Sequence, residues 1–437
     1  MTPRYTRPEM GEIWSRRRYF ECQLRVEIAV CEAWAEIGVI PGADIEKIRR
    51  ASFSIDRIDE IEGTTDHETD AFVAATAESM GSESRWLHYG LTSSDILDTG
   101  LSLQLVAAAD QLLNRLQLLE SVATARAVEH RNTLTIARTH GIHAEPTTFG
   151  FKLLVWVGEI RRQIHRLEAA KEQIAYGKIS GSVGTHANVP PQVEEIACAK
   201  LGIKFANVSN QILQRDRHAQ FLTTLALIGG SLEKFATELR SLQRTEIGET
   251  EEQFGEGQHG SSSMPHKRNP FRFERICGLA RLLRGNAHAA LENMALWHER
   301  DMSNSSLERV ILPDSTIVLD YMLWQFAGLL KGLRINVARM RENTDLTHGL
   351  IYSQGVLLGL IEAGMSRQDA YAAVQKHAMT AFTDGLQLSE LLAADSAITE
   401  LIDEKSLNEY FQPARHLKWI DTAFARLGLD VTENQGG

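Results

Sequence analysis

The sequence predicts an all-α chain in three parts, with a bundle of long helices at its centre. Only 10 prolines occur in 437 residues, about half the usual frequency, so helices can run for many turns without a break. Apolar residues recur in steps of three and four over three long windows, and no alternating strand pattern separates those windows.

Taken in order, residues 1–92 form an N-terminal helical domain. It ends at Leu91-Thr92-Ser93-Ser94-Asp95, which supplies an N-cap for the first long helix. The central bundle, 93–344, holds the three stripes. The first is Leu105, Ala109, Leu112, Leu116 and Leu119; the second is Phe221, Leu225, Ile228, Leu232, Phe235, Leu239 and Leu242; the third is Leu319, Met322, Phe326, Leu330, Leu333, Val337 and Met340. Each puts one apolar face along a helix, and three such helices bury those faces only against each other. Asn343-Thr344-Asp345 then precedes a more broken C-terminal helical domain, 345–437. The non-helical stretches at 133–146, 177–191 and 255–270 interrupt the bundle, and long loops inside compact domains are often functional.

Composition narrows the function classes. Forty-six basic against 57 acidic residues give a net charge of −11, with 43% hydrophobic and 24% charged residues, an ordinary balance for a globular chain. Nucleic acid is not an expected partner, because phosphate binding needs a basic face. The run Arg16-Arg17-Arg18 reads as a solvated helix face. Cys22, Cys31, Cys198 and Cys277 form no CxxC pair, which favours reduced thiols in a reducing compartment. No apolar stretch approaches membrane length and the N-terminus lacks an apolar leader core, so a cytoplasmic protein with no membrane partner is expected.

Three segments carry chemistry. The sharpest is Gly260-Ser261-Ser262-Ser263-Met264-Pro265-His266-Lys267-Arg268-Asn269-Pro270, with Glu274 one turn into the next helix. Glycine and serine suit a mobile loop, the hydroxyls exchange protons, and Lys267 and Asn269 offer donors to an oxyanion. The second is Arg138-Thr139-His140-Gly141-Ile142-His143; a histidine there can protonate a leaving amine near neutral pH. His140 with His143 could also suggest a metal, but no helical Glu-x-x-His pair supports one, and the single match, Glu256 to His259, falls in the Gly-rich loop. No metal or cofactor is expected. The third is His88-Tyr89-Gly90-Leu91-Thr92-Ser93, where helix N-terminal donors and hydroxyls suit a carboxylate.

The first segment resembles the signature of the fumarase/aspartase superfamily. The three segments in this order, with Arg4-Tyr5, Ser209 to His218, Trp297 to Asp301 and Ser305 to Arg309, resemble the adenylosuccinate lyase family across nearly the whole chain. The resemblance implies a fumarase/aspartase-like fold that eliminates fumarate from the succinylamino nucleotides adenylosuccinate and SAICAR, giving AMP and AICAR. Ser261 would be the general base, and Thr139 and His140 would lie beside the scissile bond, His140 as general acid. Lys267, Asn269, Thr92, Ser93, Gln211 and Arg300 would meet the succinyl group. Arg4, Tyr5, Ser305 and Arg309 would meet the 5′-phosphate, a role suited to guanidinium forks and hydroxyls. His67 and His88 match further site histidines, with Glu274 paired to one of them. The family works as homotetramers in which each site draws on three chains.

One position departs from the family. Thr65-Asp66-His67-Glu68 places an acid where a basic residue is usual, which beside an anionic ligand could cost about a kcal/mol. Another lyase of the superfamily and a non-catalytic helical scaffold are the competing readings.

Overall fold

The computed structural model describes residues 2–255, 257 and 261–429. Five long helices dominate it. In the labels used here, α1 (Arg16–Glu36), α2 (Ile55–Thr65) and α3 (Glu68–Ala77) precede the long α4 (Ser93–Glu129). The hairpin β1 (Leu134–Thr139) and β2 (Ile142–Thr148) leads into α5 (Phe149–Ile174) and then α6 (Asp216–Leu242). After β3 (Thr250–Glu251) come α7 (Phe271–Glu292) and α8 (Ser303–Lys331), then β4 (Arg334–Ile335) and α9 (Val337–Asp345). An 18-residue helix, Arg367–Asp384, and several shorter ones follow to the C-terminal end of the described residues.

Backbone contacts divide the chain into two compact units: 1–118, 162–234 and 275–325 form one, and 119–161, 235–274 and 326–437 the other. In the first unit the long helices bundle as their stripes require. Gln163 on α5 donates to Ser231 on α6 at 2.8 Å, and Asn286 on α7 donates to Ser315 on α8 at 2.9 Å. Arg115 on α4 reaches the buried Asp320 of α8 at 2.9 Å. A second apolar cluster in this unit gathers Phe20, Val26, Phe72, Ile96 and Val193. In the second unit Trp156 stacks on Phe235 with ring centres 4.6 Å apart, and Phe326 closes on both. The C-terminal helices build a core of their own around Val356, Leu360, Leu392 and Leu407.

Every residue of the first two predicted stripes is buried. The third is interrupted. Helix α8 stops at Lys331, and Val337, expected on the stripe, is 50% exposed. Gly332 follows, packed so closely on the Gln253 side chain that a Cβ would meet it, and the chain runs through β4 before α9 begins. Pro313 lies inside α8 without ending it. The Arg16–Arg18 run is a solvated face as expected, with Arg16 and Arg17 exposed and Arg16 paired at the surface with Asp59. The four cysteines are buried and free.

Candidate active site

Helix spacing builds the first part of the site within the first unit. Ser305 and Arg309 stand four apart on α8 and so share a face. They line a cavity of about 340 Å³ together with Arg300, Arg215, Ser94 and Glu68. Arg300 donates to the Gln211 side chain at 3.3 Å, which brings two of the expected succinyl contacts together. The Arg300 Nε is buried and makes no hydrogen bond. Arg309 donates two hydrogen bonds to Glu68, at 3.2 and 2.7 Å, and the Tyr19 hydroxyl donates to the same carboxylate at 2.8 Å.

Behind this wall Arg215, almost wholly buried, donates two hydrogen bonds to Asp98 at 2.7 and 2.9 Å and two to Glu308 at 2.9 and 3.0 Å. Two forked pairs on one guanidinium fix its plane. Burial pushes the Asp98 carboxyl up, but Arg215 and the Leu213 N–H outweigh it and hold it below the ordinary value. Burial leaves Glu308 above its own.

The entrance to α4 is equally constrained. Asp95 accepts from the Thr92 N–H at 2.8 Å and pairs with Lys178 at 2.5 Å, both side chains being fully buried. Lys178 also donates to the Gly181 carbonyl at 3.0 Å. Gly184, at φ 82°, lets this loop press on the strand of chain that leads to Gln211: a Cβ there would lie 2.1 Å from the Ser209 carbonyl oxygen. His88 sits four residues before Thr92 in the left-handed region, φ 58°. Its ring and its own N–H both engage Glu27.

His67 is the N-cap of α3, where Nδ1 accepts from the Asp70 N–H at 3.1 Å; that acceptor role puts the ring proton on Nε2 when the histidine is neutral. Asp66 occupies the left-handed C-cap of α2 at φ 50°, a conformation that Asp tolerates better than most residues. Its side chain belongs to an exposed residue. Arg4 is exposed on a short 3₁₀ turn, and Tyr5 packs on Tyr321 with ring centres 5.1 Å apart; neither lines the cavity.

In the second unit, His140 and Gly141 form the two-residue loop between β1 and β2, with φ 55° and 81°. Positive φ at both positions is what a type I′ hairpin turn requires. The pairing slips between Ile136 and Arg138, where Ala144 and Glu145 oppose one residue of β1, a bulge that sharpens the twist. Arg138 anchors the hairpin by donating to the buried Glu249 at 2.5 and 3.2 Å, which also accepts from Asn343 at 2.7 Å. Thr139 and His140 are thereby carried to an exposed tip. Ser261 Oγ accepts from the backbone N–H groups of Ser263 and Met264, both at 3.3 Å. Lys267 and Glu274 are exposed and Asn269 is half-buried. The stem of this loop is clamped by Arg272 on Glu252 and by Gln243, which donates to the Arg268 carbonyl at 2.9 Å. Among the described residues no hydrogen bond joins Ser261 to His140 and no ion pair joins Glu274 to a histidine. Glu256 and His259 lie outside the described residues, and no group of three or more His, Cys, Asp or Glu among the described ones could hold a metal ion.

Sequence reasoning did not single out Glu27, Glu68 or Asp98. Glu27 and Asp98 carried a signal, an acid on a helix face otherwise reserved for burial; Glu68 carried only its place beside His67.

Residues 3–285 match the lyase family and residues 349–427 match the adenylosuccinate lyase C-terminus family. Over 430 residues the chain is 51% identical to adenylosuccinate lyase of Bacillus subtilis (strain 168), covering 98% of this chain and all of that one. The chain belongs to the adenylosuccinate lyase family. It is therefore an enzyme of the lyase class, and the fold agrees. Fumarate lyase from Mesorhizobium sp. BNC1 superposes with a TM-score of 0.88 at 26% identity, covering 97% of this chain and 99% of that one. The 3-carboxy-cis,cis-muconate lactonizing enzyme from Pseudomonas putida gives 0.88 at 29%, covering 97% and 96%. Adenylosuccinate lyase family membership accounts for the all-α architecture and for the three long helices that carry the stripes.

Proposed function

We propose that this lyase eliminates fumarate from adenylosuccinate, giving AMP, and from SAICAR, giving AICAR, in purine nucleotide biosynthesis. The observation that carries the reading is the full-length similarity to the Bacillus subtilis adenylosuccinate lyase.

In this reading the Ser261 alkoxide removes a proton from the succinyl carbon β to the nitrogen. The electron pair moves into the adjacent carboxylate, whose growing charge is met by Lys267, Asn269 and helix N-terminal donors. The carbon–nitrogen bond then breaks, fumarate forms, and His140 gives its proton to the departing nitrogen. The base assignment is supported by the two peptide N–H groups on Ser261 Oγ, because donors to the charged form favour it. The acid assignment is supported by the exposed turn that carries His140. Ser305 and Arg309, with Arg4 and Tyr5, take the phosphate; Thr92, Ser93, Thr139, Gln211 and Arg300 position the succinyl group, with His67, His88 and Glu274 completing the site. The residues 1–92, 93–344 and 345–437 act as three domains of a cytoplasmic homotetramer, with each site shared between subunits.

Purified protein should release fumarate from adenylosuccinate and SAICAR in the absence of any added metal or cofactor. Activity on neither nucleotide, but on another succinylated or carboxylated compound, would transfer the assignment to a different lyase of the same fold.

A further inference from the structure

Glu27 stands where helix α1 has no use for an acid. It falls in the same three-and-four rhythm as Phe20, Val30 and Trp34, all buried, and its own side chain is 2% exposed. An ionised carboxylate in such a place is tolerated when it is paired and hydrogen-bonded. His88 supplies both bonds: its backbone N–H donates to one carboxylate oxygen at 2.8 Å, and ring Nδ1 lies 2.7 Å from the other. The pairing also holds His88 in the left-handed conformation at φ 58°. Gly90, at φ 80°, continues the turn against the Asn188 carbonyl, which a Cβ would approach to 2.7 Å. With Nδ1 committed to Glu27 and the ring 20% exposed, Nε2 is the nitrogen left for a ligand.

We propose that Glu27 is a positioning residue that fixes the His88 ring through Nδ1–H and leaves Nε2–H as a cationic donor to a carboxylate of the succinyl group. This rests on the reading of the site given above. The charged groups acting on the ring are Glu27 from α1, Asp95 from α4 and Asp70 from α3. Burial pushes His88 down, but the three acids outweigh it and its pKa is raised above the ordinary histidine value.

The test follows His88 itself. Its modification by diethyl pyrocarbonate across pH, read by peptide mass spectrometry, should show a midpoint above the ordinary 6.5 in the wild-type protein. Glu27→Gln should lower that midpoint and raise KM for adenylosuccinate about tenfold, with kcat within about threefold. In a His88→Gln background the same Glu27→Gln change should add nothing, as expected when one residue acts through the other. An unchanged midpoint in Glu27→Gln, or additive losses in the double variant, overturns the proposal. If Glu27→Gln fails to fold, a wild-type midpoint at or below 6.5 overturns it alone. Absence of turnover on both nucleotides would overturn the functional reading instead, and the titration would still decide the role of Glu27.

Discussion

Lowering the pH should strike this enzyme first at His218. The residue follows Arg215 into α6 and is 2% exposed. Its ring nitrogens make no hydrogen bond of ordinary geometry. Burial and the neighbouring Arg215 guanidinium push its pKa down to about 3, against the weaker pull of Asp98. The folded chain therefore keeps His218 neutral where the unfolded chain takes up a proton. Its contribution to stability is complete above the ordinary 6.5 and is lost as pH falls toward 3. At about 1.4 kcal/mol per pH unit, the loss reaches about 2 kcal/mol at pH 5 and at most about 5 kcal/mol at the lower limit. His130 and His143 are also held low by burial, whereas the raised His88 acts with the opposite sign, adding stability at low pH that is lost as pH rises through its folded value. A variant at His218 isolates its share from theirs. Urea unfolding at pH 7 and pH 5 should show the wild-type protein losing about 2 kcal/mol more between the two conditions than His218→Leu. Equal losses, within about 0.5 kcal/mol, would show that the buried ring does not titrate as its surroundings require.

Ser261→Ala should retain folding and nucleotide binding while turnover drops at least about 10²-fold, the scale of a proton-transfer group; turnover within a few-fold of wild type would remove Ser261 as the base. Mixing Ser261→Ala with a His140 variant should restore part of the activity through hybrid oligomers, and no recovery after verified subunit exchange would argue that one chain supplies both groups. Asp66→Arg should leave kcat within about twofold and cost about 1 kcal/mol, because Arg fits the left-handed cap less well than Asp. A large fall in kcat for that variant would instead assign the carboxylate to orienting His67.

The helices were legible because burial imposes a period. Leu105 to Leu119 and Phe221 to Leu242 mark two core faces residue by residue, and the third stripe fails at Val337, beyond the end of α8 at Lys331. The loops that carry the reactive groups were legible as interruptions, and the turn at His140-Gly141 lies within the stretch 133–146 read as non-helical. The partnerships were not. Arg215 finds Glu308 and Arg309 finds Glu68 across gaps of 93 and 241 residues, and such pairs depend on tertiary proximity that no local pattern encodes. Glu27 shows the intermediate case: its misfit in an apolar stripe was visible, but its histidine was not.

The left-handed turn at His140 bears on how this enzyme can be dissected. Alanine replacement there removes an imidazole and also asks a residue with a Cβ and no local polar group to hold φ 55°, a strain of about 1 kcal/mol. A loss of activity would then mix lost chemistry with a displaced hairpin tip. Asparagine accepts that backbone more readily and carries no titrating group, so it is the cleaner eraser. The same caution extends to His88, His186, His298 and His348, which hold positive φ as well. At these five positions the side chain and the bend of the backbone are one unit of design, and the residues open to substitution by drift are those that satisfy both.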